Sequence, residues 1–158
     1  LAGYNTDYIG FKKSIAPLLQ PQIHRKALIL GTGGASKAVS KALLDLGLEY
    51  RFVSRSAGEN RFTYDELTSE IMKDFTVIVN TSPVGTFPNV DECPQLPYSH
   101  ITPQHLLYDL IYNPDETLFL KKGKSQGAAT KNGREMLELQ ALESWQIWNK
   151  QYNKELPL

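Results

Sequence analysis

A run of small residues and one arginine are the first features of this chain that could do chemistry. Gly31, Gly33 and Gly34 stand in Leu30-Gly31-Thr32-Gly33-Gly34-Ala35-Ser36, a G-x-G-x-x-S pattern. When such a run follows a strand and opens a helix, its parts have separate purposes. Gly31 allows the tight turn, and Gly33 lets the backbone approach a pyrophosphate that a Cβ would block. The N–H groups at the start of the following helix then meet the phosphate charge with the helix dipole behind them. Ser36 takes the place of the third glycine and is still small enough for close helix–strand packing. The second chemical group is Ser54-Arg55-Ser56, with no acid until Glu59. A dinucleotide site for NAD usually carries Asp or Glu at this point, to bond the ribose 2′-OH. A guanidinium flanked by hydroxyls suits a 2′-phosphate instead. The expected cofactor is therefore NADP.

These groups need a strand–turn–helix–strand frame, and the sequence supplies one. Ala27 to Leu30 is a short apolar run of the kind found in buried parallel strands. From Ser36 to Leu46 the apolar residues recur at helical spacing, with Ala38, Ala42 and Leu46 on one row and Val39 and Leu43 on the next. Gly47 stops that helix, and Tyr50-Arg51-Phe52-Val53 is the second strand. Before this unit, Leu1 to Asp7 reads as a polar lead-in. Thr6 or Asp7 can cap a helix whose apolar face is Ile9, Ile15, Leu18 and Leu19, ended by Pro21. After it come a short strand at Arg61-Phe62-Thr63 and a helix over Tyr64 to Met72. A β-branched strand at Phe75 to Val79 then runs into Asn80-Thr81-Ser82-Pro83-Val84-Gly85. Asn89 to Gln104 is an irregular, proline-rich excursion. His105 to Leu110 is a strand, Glu116 to Gln126 a helix stopped by Gly127, and Ala128-Ala129-Thr130 a last short strand. Arg134 to Lys150 is a long helix with Leu137, Ala141, Trp145 and Trp148 on one row. Strands alternate with helices, so the expected fold is α/β, a doubly wound parallel sheet of Rossmann type.

Composition excludes several classes. At 158 residues, one domain with a core of its own is expected. Lys+Arg 17 balances Asp+Glu 17, which argues against nucleic acid as the main partner. No apolar run approaches the ~20 residues of a membrane span. One cysteine, Cys93, cannot form an intrachain disulfide; it sits in a polar loop, reads as an inert thiol and suits the reducing cytoplasm. His24 reads as a solvated loop residue. His24, His100 and His105 show no metal spacing, and all three read as structural. The start, Leu1-Ala2-Gly3-Tyr4, has neither an initiator Met nor a signal peptide, and reads as a cut inside a longer protein.

Six short motifs, in order, carry a resemblance. They are Gly3-Tyr4-Asn5-Thr6-Asp7 with Gly10; Gly31 to Ser36; Ser54-Arg55-Ser56; Asn80 to Gly85; Tyr108-Asp109-Leu110-Ile111-Tyr112-Asn113-Pro114; and Asn132-Gly133 leading to Met136-Leu137 and Gln140-Ala141. Together they resemble the dinucleotide-binding domain of the shikimate/quinate dehydrogenase family. The resemblance implies a two-lobed enzyme, of which residues 1–158 are the C-terminal NADP lobe and the N-terminal substrate lobe lies outside this chain. Residues 1–20 would be the linker helix from that lobe, and 133–150 a helix packing back toward it. The implied reaction is reversible NADPH-dependent reduction of 3-dehydroshikimate to shikimate, in aromatic amino-acid (chorismate) biosynthesis. A hydride moves between C4 of the nicotinamide and C3 of the substrate ring, and a Lys–Asp pair serves the proton.

By the motif match Asp7 is that Asp, and its Lys belongs to the other lobe. Tyr112 and Gln140 would face the substrate with Asp7. Gly31, Gly33, Gly34, Ala35, Ser54, Arg55, Ser56, Thr81, Ser82, Leu110 and Gly133 would hold the cofactor. The clamp departs from the family pattern in having Ser54 where Asn is usual, and Glu59 before the next base, Arg61. Two other readings stand beside this one: an enzyme that also takes quinate and NAD, and a dinucleotide-binding module without turnover. A proton-transfer carboxylate at the mouth of the site separates the enzymes from the module.

Overall fold

The structure, a computed structural model, describes residues 2–155; Leu1 and residues 156–158 lie outside them. The elements run α1 (Ala2–Ile15), β1 (Lys26–Leu30), α2 (Gly34–Asp45), β2 (Glu49–Ser54), β3 (Arg61–Thr63), α3 (Ser69–Asp74), β4 (Val77–Asn80), β5 (Leu106–Asp109), α4 (Leu118–Ser125), β6 (Ala129–Lys131) and α5 (Arg134–Glu155). The strands form one sheet in the order β3-β2-β1-β4-β5-β6, and every pairing is parallel. This is the expected doubly wound sheet. The chain enters at β1, works outward to β3, returns to β4 beside β1, and works outward again. The order reverses between β1 and β4, and open α/β sheets take their ligands there, outside the carboxyl ends of the strands.

Both faces of the sheet are covered. On one, Ala27, Ile29, Val77, Val79, Leu106 and Tyr108 meet Phe11 and Ile15 of α1, Val39, Ala42 and Leu43 of α2, and Met136 of α5. On the other, Leu28, Leu30, Val53, Ile78 and Leu107 meet Met72 of α3 and Phe119 and Leu120 of α4, with Cys93, Leu96 and Ile101 from the long loop. Burial on both sides explains why β1, β4 and β5 read as continuous apolar runs rather than alternating ones. Each buried aliphatic side chain contributes about 1.5–3 kcal/mol, so these three strands hold the frame.

Several expectations are corrected. The first helix begins at Ala2, so the polar lead-in is helical and Thr6 and Asp7 lie inside α1 rather than capping it. Phe11, not Ile9, fills the deepest position of that helix, set edge-on against Tyr108 at 5.0 Å between ring centroids. The single helix expected over Tyr64 to Met72 is two pieces. A 3-10 turn at Tyr64–Glu66 ends, Leu67 turns into the core, and Thr68 caps α3 by accepting the Ile71 N–H at 3.3 Å. β4 starts two residues late, at Val77; Thr76 just before it donates its hydroxyl to Ile23 O at 2.6 Å.

His24 is not solvated. It is 5% exposed, its Nδ1 accepts the Gln20 N–H at 2.9 Å, and its Nε2 lies 3.0 Å from Gln104 O. Cys93 is in a loop but buried, because that loop closes one face of the core. The row on α5 leaves the core after Met136: Trp145 and Trp148 are each 60% exposed, and Trp148 stacks on Tyr152.

Candidate functional site

The glycine turn sits at the switch point. Gly31 has φ +102, a conformation that side chains avoid, and its N–H donates to Val53 O at 3.1 Å. A Cβ there would also meet Thr81 Oγ1 at 3.0 Å. Gly33 is extended, with φ −76 and ψ −170, and is the residue before α2. Its carbonyl accepts from the Ser36 N–H at 3.1 Å and the Ser36 hydroxyl at 2.5 Å, so the serine in the third glycine position locks the turn. A Cβ added at Gly33 or Gly34 would meet nothing within 4 Å. The turn therefore opens onto free space at the head of a 12-residue helix, whose first N–H groups lack helical acceptors. That cradle fits a pyrophosphate.

One end of the crevice carries the arginine. The Ser54 hydroxyl donates to Ser56 O at 2.7 Å, which folds the turn that presents Arg55 to solvent. Arg55, Tyr64 and Val84 line a cleft of about 550 Å³, together with Asp91, Glu92 and Lys122. Arg61 is not among its lining residues; its side chain lies over Gly58 in the adjoining turn.

The other end carries the loop after β4. Thr81 ties itself to the end of β1, with its N–H and hydroxyl both donating to Leu30 O, at 2.9 and 2.7 Å. Ser82 donates its N–H and its hydroxyl to Asn80 Oδ1, at 3.1 and 2.7 Å. Gly133 lies so close to β5 that a Cβ would be 1.9 Å from Leu110 O, and its N–H donates to Ile111 O at 3.1 Å. Two clefts adjoin here. One, of about 420 Å³, is lined by Ala35, Thr81, Phe87, Leu110 and Tyr112. The other, of about 180 Å³, is lined by Asp7, Ala35, Leu110, Tyr112, Gly133 and Gln140. Ala35, Leu110 and Tyr112 belong to both.

Asp7 reaches this end through a helix crossing. A Cβ at Gly10 would stand 2.8 Å from Met136 O and 2.9 Å from Gln140 Cγ, so α1 and α5 touch where no side chain fits between them. Asp7, one turn before Gly10, then meets Gln140, one turn after Met136, and the Gln140 amide donates to Asp7 Oδ1. Burial raises the Asp7 carboxyl above its ordinary value of 3.8, while the Gln140 bond pulls the other way. A carboxylate made more basic in this way is better suited to take a proton than one in open water. Tyr112 is 46% exposed at the rim. No lysine lines this cleft.

The structure thus brings Asp7, Tyr112 and Gln140 together with Gly133, Leu110 and Ala35, and puts Arg55 on a separate cleft, just past the carboxyl end of β2. A larger cleft, of about 660 Å³, lies by the amino ends of the strands, between Ser69, Lys73, His100 and His105, and holds none of these residues. Among the described residues no group of three or more His, Cys, Asp or Glu is placed to hold a metal ion, and no helix is long and apolar enough to cross a membrane. A buried set lies behind the site, Asn80, Asp109 and Thr117; the first two stand in the motifs above without a role of their own, and Thr117 stands in none of them. The signal available was a carboxylate at the end of an apolar strand.

Comparison with known proteins agrees with the motifs. No family model matches the chain. The shikimate dehydrogenase (NADP(+)) of Methanococcus maripaludis is 38% identical over 160 residues, covering 92% of this chain and 57% of the relative. That of Desulforamulus reducens is 32% identical over 170 residues, covering 94% and 57%. Among solved structures, a chorismate mutase/shikimate 5-dehydrogenase fusion protein from Clostridium acetobutylicum superposes with a TM-score of 0.78 at 34% identity, covering 92% of this chain and 55% of that one. Shikimate dehydrogenase 1 from Peptoclostridium difficile gives 0.76 at 39% identity, covering 92% and 54%. The resemblance read from the motifs and the Rossmann-like fold are both borne out. The chain spans about 57% of the length of these curated relatives.

Proposed function

We propose that this chain is the NADP-binding part of a shikimate dehydrogenase, which reduces 3-dehydroshikimate to shikimate on the route to chorismate and the aromatic amino acids. The observation that carries the reading is the cleft shared by Asp7, Gln140, Tyr112, Leu110 and Gly133. It sets a basic carboxylate beside the residues expected at the reactive end of a dinucleotide whose other end meets Arg55. The names of the similar proteins, NADP(+)-dependent shikimate dehydrogenases, support the same cofactor and substrate.

In this reading Gly31, Gly33, Gly34 and Ala35 hold the pyrophosphate, and Ser54, Arg55 and Ser56 hold the 2′-phosphate. Thr81, Ser82, Leu110 and Gly133 border the nicotinamide half. NADPH, when bound, supplies the hydride. Asp7 holds or moves the proton at the substrate hydroxyl, Gln140 fixes the Asp7 carboxyl and offers polar contact, and Tyr112 closes one side. The partner Lys and the remaining substrate contacts belong to a lobe outside residues 1–158. The part-length match to the relatives supports this division, as does the outward row of Leu137, Trp145 and Trp148, an apolar face suited to that lobe. The buried, unpaired Cys93 suits a reducing cytoplasm.

The test is direct. Calorimetry of the purified chain is expected to show NADPH binding tighter than NADH. Mixed with NADP⁺ and shikimate, the chain is expected to show no sustained rise in reduced nicotinamide absorbance. Orientation by an opposing surface can supply about 7–11 kcal/mol of barrier reduction, and one wall cannot provide it. Absence of NADPH binding would refute the cofactor assignment. Turnover near that of a complete enzyme would refute the division into lobes.

A further inference from the structure

Behind the reactive end of the crevice lies a polar group that no step above uses. Asn80, Asp109 and Thr117 are each 0% exposed. Asp109 ends β5 beside Asn80, which ends β4, and the two are register partners in the sheet. The Asp109 carboxylate accepts three bonds. Asn80 Nδ2 and the Ile111 N–H reach Oδ1 at 3.2 and 3.1 Å, and the Thr117 hydroxyl reaches Oδ2 at 2.7 Å. On its other side Asn80 accepts both donors of Ser82 through Oδ1. Ile111 in turn accepts the Gly133 N–H through its carbonyl.

One buried carboxylate therefore ties together the Ser82 loop, the Leu110–Ile111 segment, Gly133 just before α5, and the cap of α4. Every one of these bonds requires Asp109 to accept, and a buried acceptor with three donors is fixed in one orientation. Burial nevertheless drives its pKa up to about 6, against the pull of Thr117, Ile111 and Asn80. An apolar residue at the end of β5 would leave those three buried donors unpaired, so the aspartate serves the fold as well, and only a ligand-specific readout separates a positioning role from a structural one.

We infer that Asp109 is a positioning residue for the reactive end of the dinucleotide site: it holds Ser82, Leu110 and Gly133 in the one arrangement that can border a nicotinamide. The inference rests on the NADP reading above. The direct bonds of Asp109 do not reach the Arg55 end. The cleft around Arg55 and Tyr64 meets this group through a 3.4 Å bond from Asn80 Nδ2 to Val84 O and through Leu118, next to Thr117. None of the three Asp109 bonds ends on Arg55 or Tyr64.

The experiment compares two probes on the 158-residue chain by calorimetry: NADPH, which would span the crevice, and adenosine 2′,5′-bisphosphate, which would occupy only the Arg55 end. Asp109→Ala is expected to weaken NADPH about 10-fold or more, the scale of one or two lost hydrogen bonds of position, and the bisphosphate less than about 2-fold. Asp109→Asn keeps an acceptor for Asn80 and Ile111 and turns its amide toward the Thr117 oxygen. It is expected to fall between parent and Asp109→Ala for NADPH alone.

A purely structural Asp109 would lower the melting temperature without splitting the two probes. Equal losses for both, or none for NADPH, overturn the inference. Should Asp109→Ala fail to fold by circular dichroism, Asn80→Ala, which cuts the same link from β4, is judged by the same split. A parent chain that binds neither probe refutes the NADP reading, and the inference with it.

Discussion

Gly33→Ala should separate the binding purpose of the glycine turn from its structural one. The Gly33 backbone, at φ −76 and ψ −170, is open to any residue, and a Cβ there would meet nothing within 4 Å. The free protein should hardly notice the change. Reduced freedom of the unfolded chain favours Ala by about 0.4–1 kcal/mol. Ala is the poorer residue at the head of a helix by a similar amount, roughly 0.5–1 kcal/mol. The two offset, and at about 2–4 °C per kcal/mol for a chain of this size the melting temperature should stay within about 2 °C. Binding should not survive as well. The methyl enters the space where a pyrophosphate would approach the backbone, and each charge-assisted N–H to phosphate bond is worth about 1.5–3 kcal/mol. Losing one weakens NADPH by about 10- to 150-fold. Scanning calorimetry of the free chain and titration with NADPH give the two readouts. Unchanged affinity at an unchanged melting temperature would refute the assignment of this turn to the pyrophosphate. Parallel losses in both would show that the turn was needed for the fold and not for the ligand.

Arg55→Ala should weaken NADPH by about 10- to 150-fold, since a charge-assisted bond is worth about 1.5–3 kcal/mol. NADH should change little, and titrations showing equal losses for the two cofactors would remove the clamp. Gly133→Ala sets a Cβ 1.9 Å from the Leu110 carbonyl oxygen, with backbone on both sides and no side chain to yield. Overpacking of this kind costs about 1–3 kcal/mol, so the melting temperature should drop by about 2–12 °C, and an unshifted melt would disprove the close approach. The buried imidazoles of His24 and His105 are held below their ordinary value of 6.5, by burial first, against opposing backbone bonds. A depressed imidazole gives stability that is present above pH 6.5 and lost as pH falls through the folded value, because the unfolded chain takes the proton first. Melting of the parent should therefore drop between pH 7 and pH 5 more steeply than that of His24→Gln/His105→Gln. Asp109, raised to about 6, opposes this trend in both proteins and cancels in the comparison, so parallel profiles would refute the histidine account.

The sheet was legible because its signals are local. Val77 to Val79 and Leu106 to Tyr108 are buried on both faces, and an unbroken apolar run can hardly be placed elsewhere. The glycine turn was legible for the same reason, since its strand, turn and helix are adjacent in sequence. What escaped depends on partners far along the chain. Nothing near His24 announces Gln104, 80 residues on, which turns a polar loop residue into a buried one. Asp109 reads as an ordinary strand end until β4 brings Asn80 beside it. The aromatic row of α5 has helical spacing, and spacing alone does not say whether a face meets this chain's own core or looks outward. Trp145 and Trp148 look outward. Motif resemblance named Asp7, Tyr112 and Gln140 together, but only the crossing at Gly10 gives the physical reason for their meeting.

That crossing makes α5 the element that sets the spacing of the reactive end. Its head is pinned at Gly133, which lies against Leu110 and donates to Ile111. Two turns further on, about 10 Å along the axis, Gln140 holds the Asp7 carboxyl. The helix thus sets the distance between the residues that would border a nicotinamide and the carboxylate that would handle a proton. Bulk at either end should act through this one rod. A side chain at Gly133 pushes the helix head away from β5, and one at Gly10 pushes its second turn away from α1. The first displaces the cofactor border and the second displaces Asp7 from Gln140. Cofactor affinity and proton transfer should therefore respond separately to changes at two glycines on opposite sides of one helix, although neither glycine offers any group to a ligand but its backbone.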